Sequence, residues 1–347
     1  MAAIQVDDLT KTFGETTAVD GLSFSVEDGE LFGLLGPNGA GKSTLINVLV
    51  TLLRPTSGSA TVDGHDVVAE TGAVRNSIGI VFQEPALDEE LTGAENLHFH
   101  ARLYGMDRAD RERRVDEIFD LVGLSEERDD RVGTYSGGMK RRLEIGRGLL
   151  HEPSVLFLDE PTVGLDARTR RDTWEYIQRM NEEAGVSIVL TTHYIEEAEQ
   201  LCDRVAVVDD GDIAAVDAPD ALKESLGGDV VSLDVEGSTA DLRRRLDDCE
   251  WVTDHADSDA GIRVTVERGD ARVADLVRLA DDAGVAIRSV DIHRPNLETV
   301  FLSLTGSTMA ERESEPADGT GTASDRRRAG SDRADDRAHL ATTEDDG

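Results

Sequence analysis

Residues Gly36-Pro37-Asn38-Gly39-Ala40-Gly41-Lys42-Ser43 follow the spacing G-x-x-x-x-G-K-[ST], and Thr44 comes next. That spacing suits one kind of chemistry, the cradling of a phosphate chain. Glycines let the backbone wrap close to an anion, and the free N–H groups of a first helical turn donate to it. A lysine at this place reaches the β- and γ-phosphates, and the adjoining hydroxyl ligates Mg²⁺. A second group is Asp159-Glu160, which follows the apolar run Val155-Leu156-Phe157-Leu158. Asp159 is placed to hold Mg²⁺, directly or through water. Glu160, one residue on, is placed to polarise an attacking water. A third group is Ser136-Gly137-Gly138, where a serine cap and two glycines expose another helix N-terminus to an anion.

These groups need a scaffold. The run Leu31–Leu35 reads as a buried strand that feeds the glycine loop, and Thr44–Leu49 as the start of an amphipathic helix. Ile4 to Val26 alternates and turns like two antiparallel strands about Gly14-Glu15. Short strands are expected at Ser59–Val62 and Ile78–Phe82, then helical periodicity from about Thr92 to Arg131, including Arg108–Val122. A helix at Met139–Leu150, a strand at Val155–Leu158, a helix at Ala167–Ala184, and strands at Val186–Thr191 and Val205–Val208 complete the pattern. Strands alternating with helices imply a parallel sheet, with the helical block inserted between its two halves. Beyond Gly227-Gly228 the order β-α-β-β-α-β suggests a ferredoxin-like unit, closed by a helix at about Leu297–Leu304. After Gly306 apolar residues almost vanish, so residues 307–347 read as a disordered tail.

Composition narrows the setting. The chain has 347 residues, 39% hydrophobic but only 4% aromatic, and a formal net charge of −36. Its lysines are Lys11, Lys42, Lys140 and Lys223; every other cation is arginine or histidine. Carboxylates spread along the whole chain repel one another in dilute buffer, and at molar salt the Debye length shrinks to ~3 Å. The simplest reading is a salt-rich cytoplasm, as in halophilic archaea. The same charge argues against a nucleic-acid partner, which needs a basic face. Cys202 and Cys249 are far apart, give neither a zinc site nor a disulfide framework, and read as small buried hydrophobes. No apolar run approaches the ~20 residues that span a bilayer, and no signal peptide precedes the first strand, so a soluble cytoplasmic chain is expected. His151, before a turn, reads as a surface residue.

With these motifs in order, the sequence resembles the ATP-binding-cassette (ABC) ATPases, whose signature loop is of the Ser136-Gly137-Gly138 type. The resemblance covers about residues 4–220. It implies a P-loop cassette at 1–226 with a mixed sheet core, an antiparallel β subdomain and a helical subdomain at about 84–150. It leaves 229–306 as an accessory domain. It implies that Gln83 senses Mg²⁺ and the transport partner, and that the Asp166 loop joins the nucleotide site. It also implies that His193 contacts the γ-phosphate and that Phe13 stacks on adenine where the family usually has tyrosine. ATP and Mg²⁺ are the implied substrate and metal. The implied partners are a second cassette, identical or paired, and separate membrane permeases at the cytoplasmic face. Met139 stands where many importers have Gln, and Leu297-Glu298-Thr299-Val300-Phe301 looks like the end of the daunorubicin/doxorubicin-resistance type of exporter ATPase. The competing readings are a soluble ABC ATPase of translation or DNA repair, and a regulatory cassette. Translation-type members carry two cassettes and repair-type members long coiled coils, neither of which is present here. Intact Glu160 and His193 argue against a non-catalytic cassette.

Overall fold

The computed structural model describes residues 2–306 apart from 85, 237–238, 259–260 and 294–295; the tail expected at 307–347 lies outside the described residues. The opening hairpin forms as expected: β1 (Ala2–Phe13) pairs antiparallel with β2 (Thr16–Glu27). Next come β3 (Leu31–Leu35), α1 (Lys42–Leu49), β4 (Ser57–Val62), β5 (His65–Asp66), α2 (Thr71–Ser77) and β6 (Ile78–Val81). The helical block is α3 (Gly93–Leu103), α4 (Arg108–Val122) and α5 (Gly137–Gly148). It is followed by β7 (Val155–Asp159), α6 (Ala167–Ala184), β8 (Ser187–Thr192), α7 (Ile195–Leu201), β9 (Arg204–Asp209), β10 (Asp212–Asp217) and α8 (Pro219–Glu224). The remaining elements are β11 (Asp229–Glu236), α9 (Ala240–Asp247), β12 (Val252–Ser258), β13 (Gly261–Val266), α10 (Gly269–Asp282), β14 (Ala286–His293) and α11 (Leu297–Thr305).

The central sheet runs β10-β9-β3-β8-β7-β6 and is parallel except for β10, which pairs antiparallel with β9 at the edge. Its inner strands β3, β7 and β8 are buried along their whole length and largely apolar because both faces are covered. Phe32, Leu34, Phe157, Val189 and Ala206 pack on the side that holds α1 and the separate sheet β2-β1-β4-β5. Leu31, Leu35, Leu156, Leu158, Ile188 and Leu190 pack on the other side, with the helical block and α6. The helical block is a single excursion between β6 and β7, which are adjacent and parallel.

Local chemistry sets the helix ends. Thr92 and Glu95 form a reciprocal capping box at α3. Asp107, Ser136 and Asp166 cap α4, α5 and α6 with side-chain oxygens. The elements not foreseen, α2, α7, α8, β5 and β10, are all short.

Residues after α8 build a second layer. Its sheet is β12-β13-β11-β14, antiparallel throughout, and Val231, Leu233, Val235, Ile262, Val264 and Val266 face α9 and α10 through Leu242, Leu246, Leu276 and Ala280. Helix α11 then turns back. Leu297, Val300 and Phe301 are buried in the core under the central sheet, against α7, α8 and β10.

Candidate active site

Strand β3 ends at Gly36, whose N–H donates to the Thr192 carbonyl at 3.2 Å. A Cβ on Gly36 would lie 2.2 Å from the Val208 carbonyl oxygen, so the loop can leave the sheet here only without a side chain. Gly41 is doubly constrained: its φ is 98°, and an added Cβ would lie 2.2 Å from the Ala18 carbonyl oxygen. Gly41 is also the N-cap of α1, and no side chain caps that helix. The first-turn N–H groups therefore face the loop that Pro37, Asn38, Gly39 and Ala40 complete. Lys42 is buried, and its ammonium donates to the Gly36 and Pro37 carbonyls at 2.6 and 2.9 Å. The cation is folded back over the loop by the loop's own backbone.

Strand β7 carries the acidic pair to the same place. Asp159 is buried, and its Oδ1 accepts from the Ser43 hydroxyl at 3.3 Å and from the Thr191 hydroxyl at 2.6 Å. Thr191 in turn accepts from the Glu160 N–H at 2.9 Å. Glu160 has a φ of 46°, in the left-handed region that non-glycine residues seldom occupy. Its Oε1 lies 3.2 Å from His193 Nδ1. That hydrogen bond, with the charges of His193 and Lys42, holds the Glu160 carboxyl below its ordinary range against the opposing effect of burial. The oxygen donors Ser43 and Asp159 suit a small hard cation.

Asn38, Gly39, Gly41, Lys42, Ser43, Thr44, Gln83, Glu160 and His193 line one cavity of about 440 Å³, with Ala18 and Val163. Most of the expected nucleotide residues thus meet in one place. Ser136 and Gly138 do not meet them. They line a second cavity of about 330 Å³ between α5 and α6, and Gly137 adjoins Leu165. The Asp166 carboxylate is engaged with its own helix, accepting from the Arg168 and Thr169 N–H groups and the Thr169 hydroxyl. Phe13 lies at the end of β1, 48% exposed, with Lys11 Nζ 4.9 Å from its ring centre.

Other participants had no signal in the sequence. Ala18 and Val163 reach the cavity from β2 and from the turn after β7. Thr191 ties the Asp159 carboxylate to the Glu160 backbone, although nothing separates it in type from other strand threonines. Glu197 on α7 accepts from the Thr162 hydroxyl at 2.7 Å and the Trp174 indole at 2.9 Å. Arg141 and Glu144 on α5 form a buried pair at 3.3 Å. Two expectations are corrected. His151 is not a surface residue: its ring stacks on Tyr104 at 3.8 Å, its Nε2 lies 2.8 Å from the Ile78 carbonyl, and burial lowers its pKa. Cys202 is buried as expected, whereas Cys249 is only half-buried at the end of α9, its thiol donating to the Arg245 carbonyl. Both depend on what packs over a helix end, which neighbouring residues in sequence do not reveal.

Comparison with known proteins adds to this geometry. The ABC transporter family profile matches residues 19–163. The daunorubicin/doxorubicin resistance ATP-binding protein DrrA of Streptomyces peucetius is 43% identical over 321 residues, covering 91% of this chain and 96% of that protein. The linearmycin resistance ATP-binding protein LnrL of Bacillus subtilis is 39% identical over 312 residues, covering 89% of this chain and all of its own length. Among solved structures, CbiO1 of Clostridium perfringens, part of the ABC transporter complex CbiONQ, superposes with a TM-score of 0.61 at 30% identity. It covers 65% of this chain and 92% of its own. A dimeric ATP-binding cassette bound to ADP and Pi matches with a TM-score of 0.55 at 28% identity, over 62% of this chain and 98% of its own.

Proposed function

This chain belongs to the family of ABC transporter ATP-binding subunits, and from that membership we propose how its residues divide the work of an ATP-driven exporter. The protein binds and hydrolyses ATP. Among its described residues no helix is long and apolar enough to cross a membrane. Membership in the transporter family, and the likeness to a subunit of the complex CbiONQ, support separate permease chains that carry the transported molecule, with this subunit at their cytoplasmic face. The relatives named for drug resistance support a small exported molecule as the cargo class. Similarity along nearly their whole length disfavours the translation and DNA-repair readings.

The observation that carries the reading is the convergence of Lys42, Ser43, Gln83, Glu160 and His193 on one cavity. The loop Gly36–Ser43 and Thr44 hold the phosphates, Lys42 neutralises their charge, and Phe13 stacks on the adenine. Ser43, Asp159 and Gln83 hold Mg²⁺, which when bound offsets charge on the phosphate oxygens. Glu160 orients the attacking water and takes its proton. His193 holds Glu160 and faces the γ-phosphate.

Ser136 and Gly138 line a different cavity from Lys42, which supports a site completed by a second cassette. Two copies, or this chain and a paired cassette, close head to tail over ATP. The Ser136–Gly138 helix end of one then meets the phosphates held by the other, with the Asp166 loops at the seam. We assign residues 1–226 to the cassette, 229–306 to a ferredoxin-like accessory domain, and 307–347 to a tail outside the catalytic unit. The strand order of β11–β14 supports the ferredoxin-like assignment. The net charge of −36 supports a salt-rich cytoplasm of the halophilic archaeal kind. Size-exclusion of Glu160→Gln with ATP and Mg²⁺ tests the closure. An ATP-dependent dimer is expected, and a monomer at every ATP concentration would overturn head-to-tail closure.

A further inference from the structure

Arg141 lies just over one turn into α5 from the Ser136 cap and is only 8% exposed. Its guanidinium serves two separate loops. Nε donates to the Pro161 carbonyl at 2.6 Å and Nη2 to the Asp159 carbonyl at 3.3 Å. Those two carbonyls flank Glu160. Nη1 donates to the Phe82 carbonyl at 3.0 Å, immediately before Gln83. Glu144, 2% exposed, holds the guanidinium with Oε2 at 3.3 Å and accepts the Ala86 N–H with Oε1 at 2.5 Å. Helix α5 therefore grips the backbone on both sides of Glu160 and on both sides of Gln83.

A buried ion pair is costly, and an apolar pair of similar volume would often serve stability as well or better. The planar fork of arginine has another use, since it can bridge carbonyls from different segments at fixed angles. Glu160 needs such support, because its left-handed backbone persists only where the surroundings hold it. We propose that Arg141 is a positioning residue for ATP hydrolysis. It carries the seating of the Ser136–Gly138 helix end on a neighbouring nucleotide to the backbone around Glu160 and Gln83 of its own chain. The carboxylate then reaches its working position only when α5 is engaged. This rests on the readings of Glu160 as the carboxylate that orients water and of α5 as the contact to a second cassette's phosphates.

The test uses the full chain at molar KCl, with steady-state ATPase kinetics, titration of a fluorescent ATP analogue, and melting. In Arg141→Gln/Glu144→Gln neither partner is left as an unpaired buried charge. Its melting temperature is expected to stay close to wild type and nucleotide affinity within about twofold, while kcat falls about tenfold or more from mispositioning. Arg141→Lys should show the same split between kcat and KM, since one ammonium cannot span both loops. Wild-type kcat in the double variant, or full kcat in Arg141→Lys, would overturn the proposal. If the double variant fails to fold, Arg141→Lys decides alone. Glu160→Gln, run alongside, keeps the two readings apart. Wild-type turnover there would remove Glu160 from its role, whereas an inert Glu160→Gln leaves the Arg141 variants to judge the relay by itself.

Discussion

Beneath and beside the central sheet the chain buries Lys42, Asn96, Arg141, Glu144, Asp159, Thr191 and Glu197. Between the sheet β12-β13-β11-β14 and helices α9 and α10 it buries Val, Leu, Ile and Ala, and no charged or polar side chain among the described residues is fully buried there. Burying a polar group costs free energy unless its partners are supplied, and burying a charge costs more. The cassette meets that cost with hydrogen bonds, those of Lys42, Asp159 and Thr191 beside the nucleotide cavity and those of Asn96 and Glu197 away from it, whereas the accessory layer avoids it. Among the described residues, fully buried polar side chains are thus a property of the cassette and not of the accessory layer.

The largest expected effect comes from cutting the cassette's network at its centre. Glu160→Gln should lower turnover by about 10²–10⁴-fold while nucleotide still binds, because the amide keeps the shape and loses the base. Its counterpart in the accessory layer is Leu233→Ala, which removes a fully buried apolar side chain. That change should cost about 2–5 kcal/mol of local stability, read by hydrogen exchange, and leave turnover unchanged at temperatures where the layer stays folded. Equal loss of turnover in both variants would erase the distinction.

Lys42→Ala comes next. A charge-assisted contact worth about 1.5–3 kcal/mol is lost from a partly desolvated site, so affinity for a fluorescent ATP analogue should fall about 10–100-fold. Unchanged affinity would remove Lys42 from the phosphate site. Salt acts on both regions through their exposed carboxylates. Raising KCl from low to molar concentration should lift the melting temperature by more than about 5 °C. The accessory layer, with apolar burial alone, should open first at low salt. A flat curve would speak against the salt-rich setting and leave the ATPase untouched.

The smallest effect concerns pH. Glu160 is held below the ordinary carboxylate value of 4.5, chiefly by its hydrogen bond to His193. A depressed carboxylate pKa stabilises the fold above the unfolded value, and that contribution is lost as pH falls through the folded one. His193→Ala removes the main cause, so the acid limb of its residual turnover should move to higher pH. A limb that stays in place would mean that another group sets it.

The phosphate loop, the acidic pair and the signature serine could be read from the sequence because each is a local pattern. Gly41, Lys42 and Ser43 act within one turn of each other, and Asp159 closes an apolar strand of its own. Helices α4 and α6 were equally legible, each with a cap and a long apolar face. Thr191, Arg141, Glu144 and Glu197 were not. Their roles depend on partners brought close by the sheet order, such as Thr191 against Asp159 in register. The edge strand β10 and the helices α7 and α8 are too short for periodicity to emerge. Helix α11 could be anticipated as a helix, but not its burial against α7 and α8.

That last helix has a consequence for how the protein is made. Translation delivers β10 and α8 early and α11 only after every strand of the accessory layer. Until then Leu201, Leu222 and their neighbours lack the cover that Leu297, Val300 and Phe301 provide. Domains fold as units in order of synthesis, so here the cassette core still lacks the cover of α11 while the sheet of the accessory layer is being completed. A chain cut short between α8 and α11 is left with an uncovered apolar patch, the kind of surface that chaperones and proteases recognise.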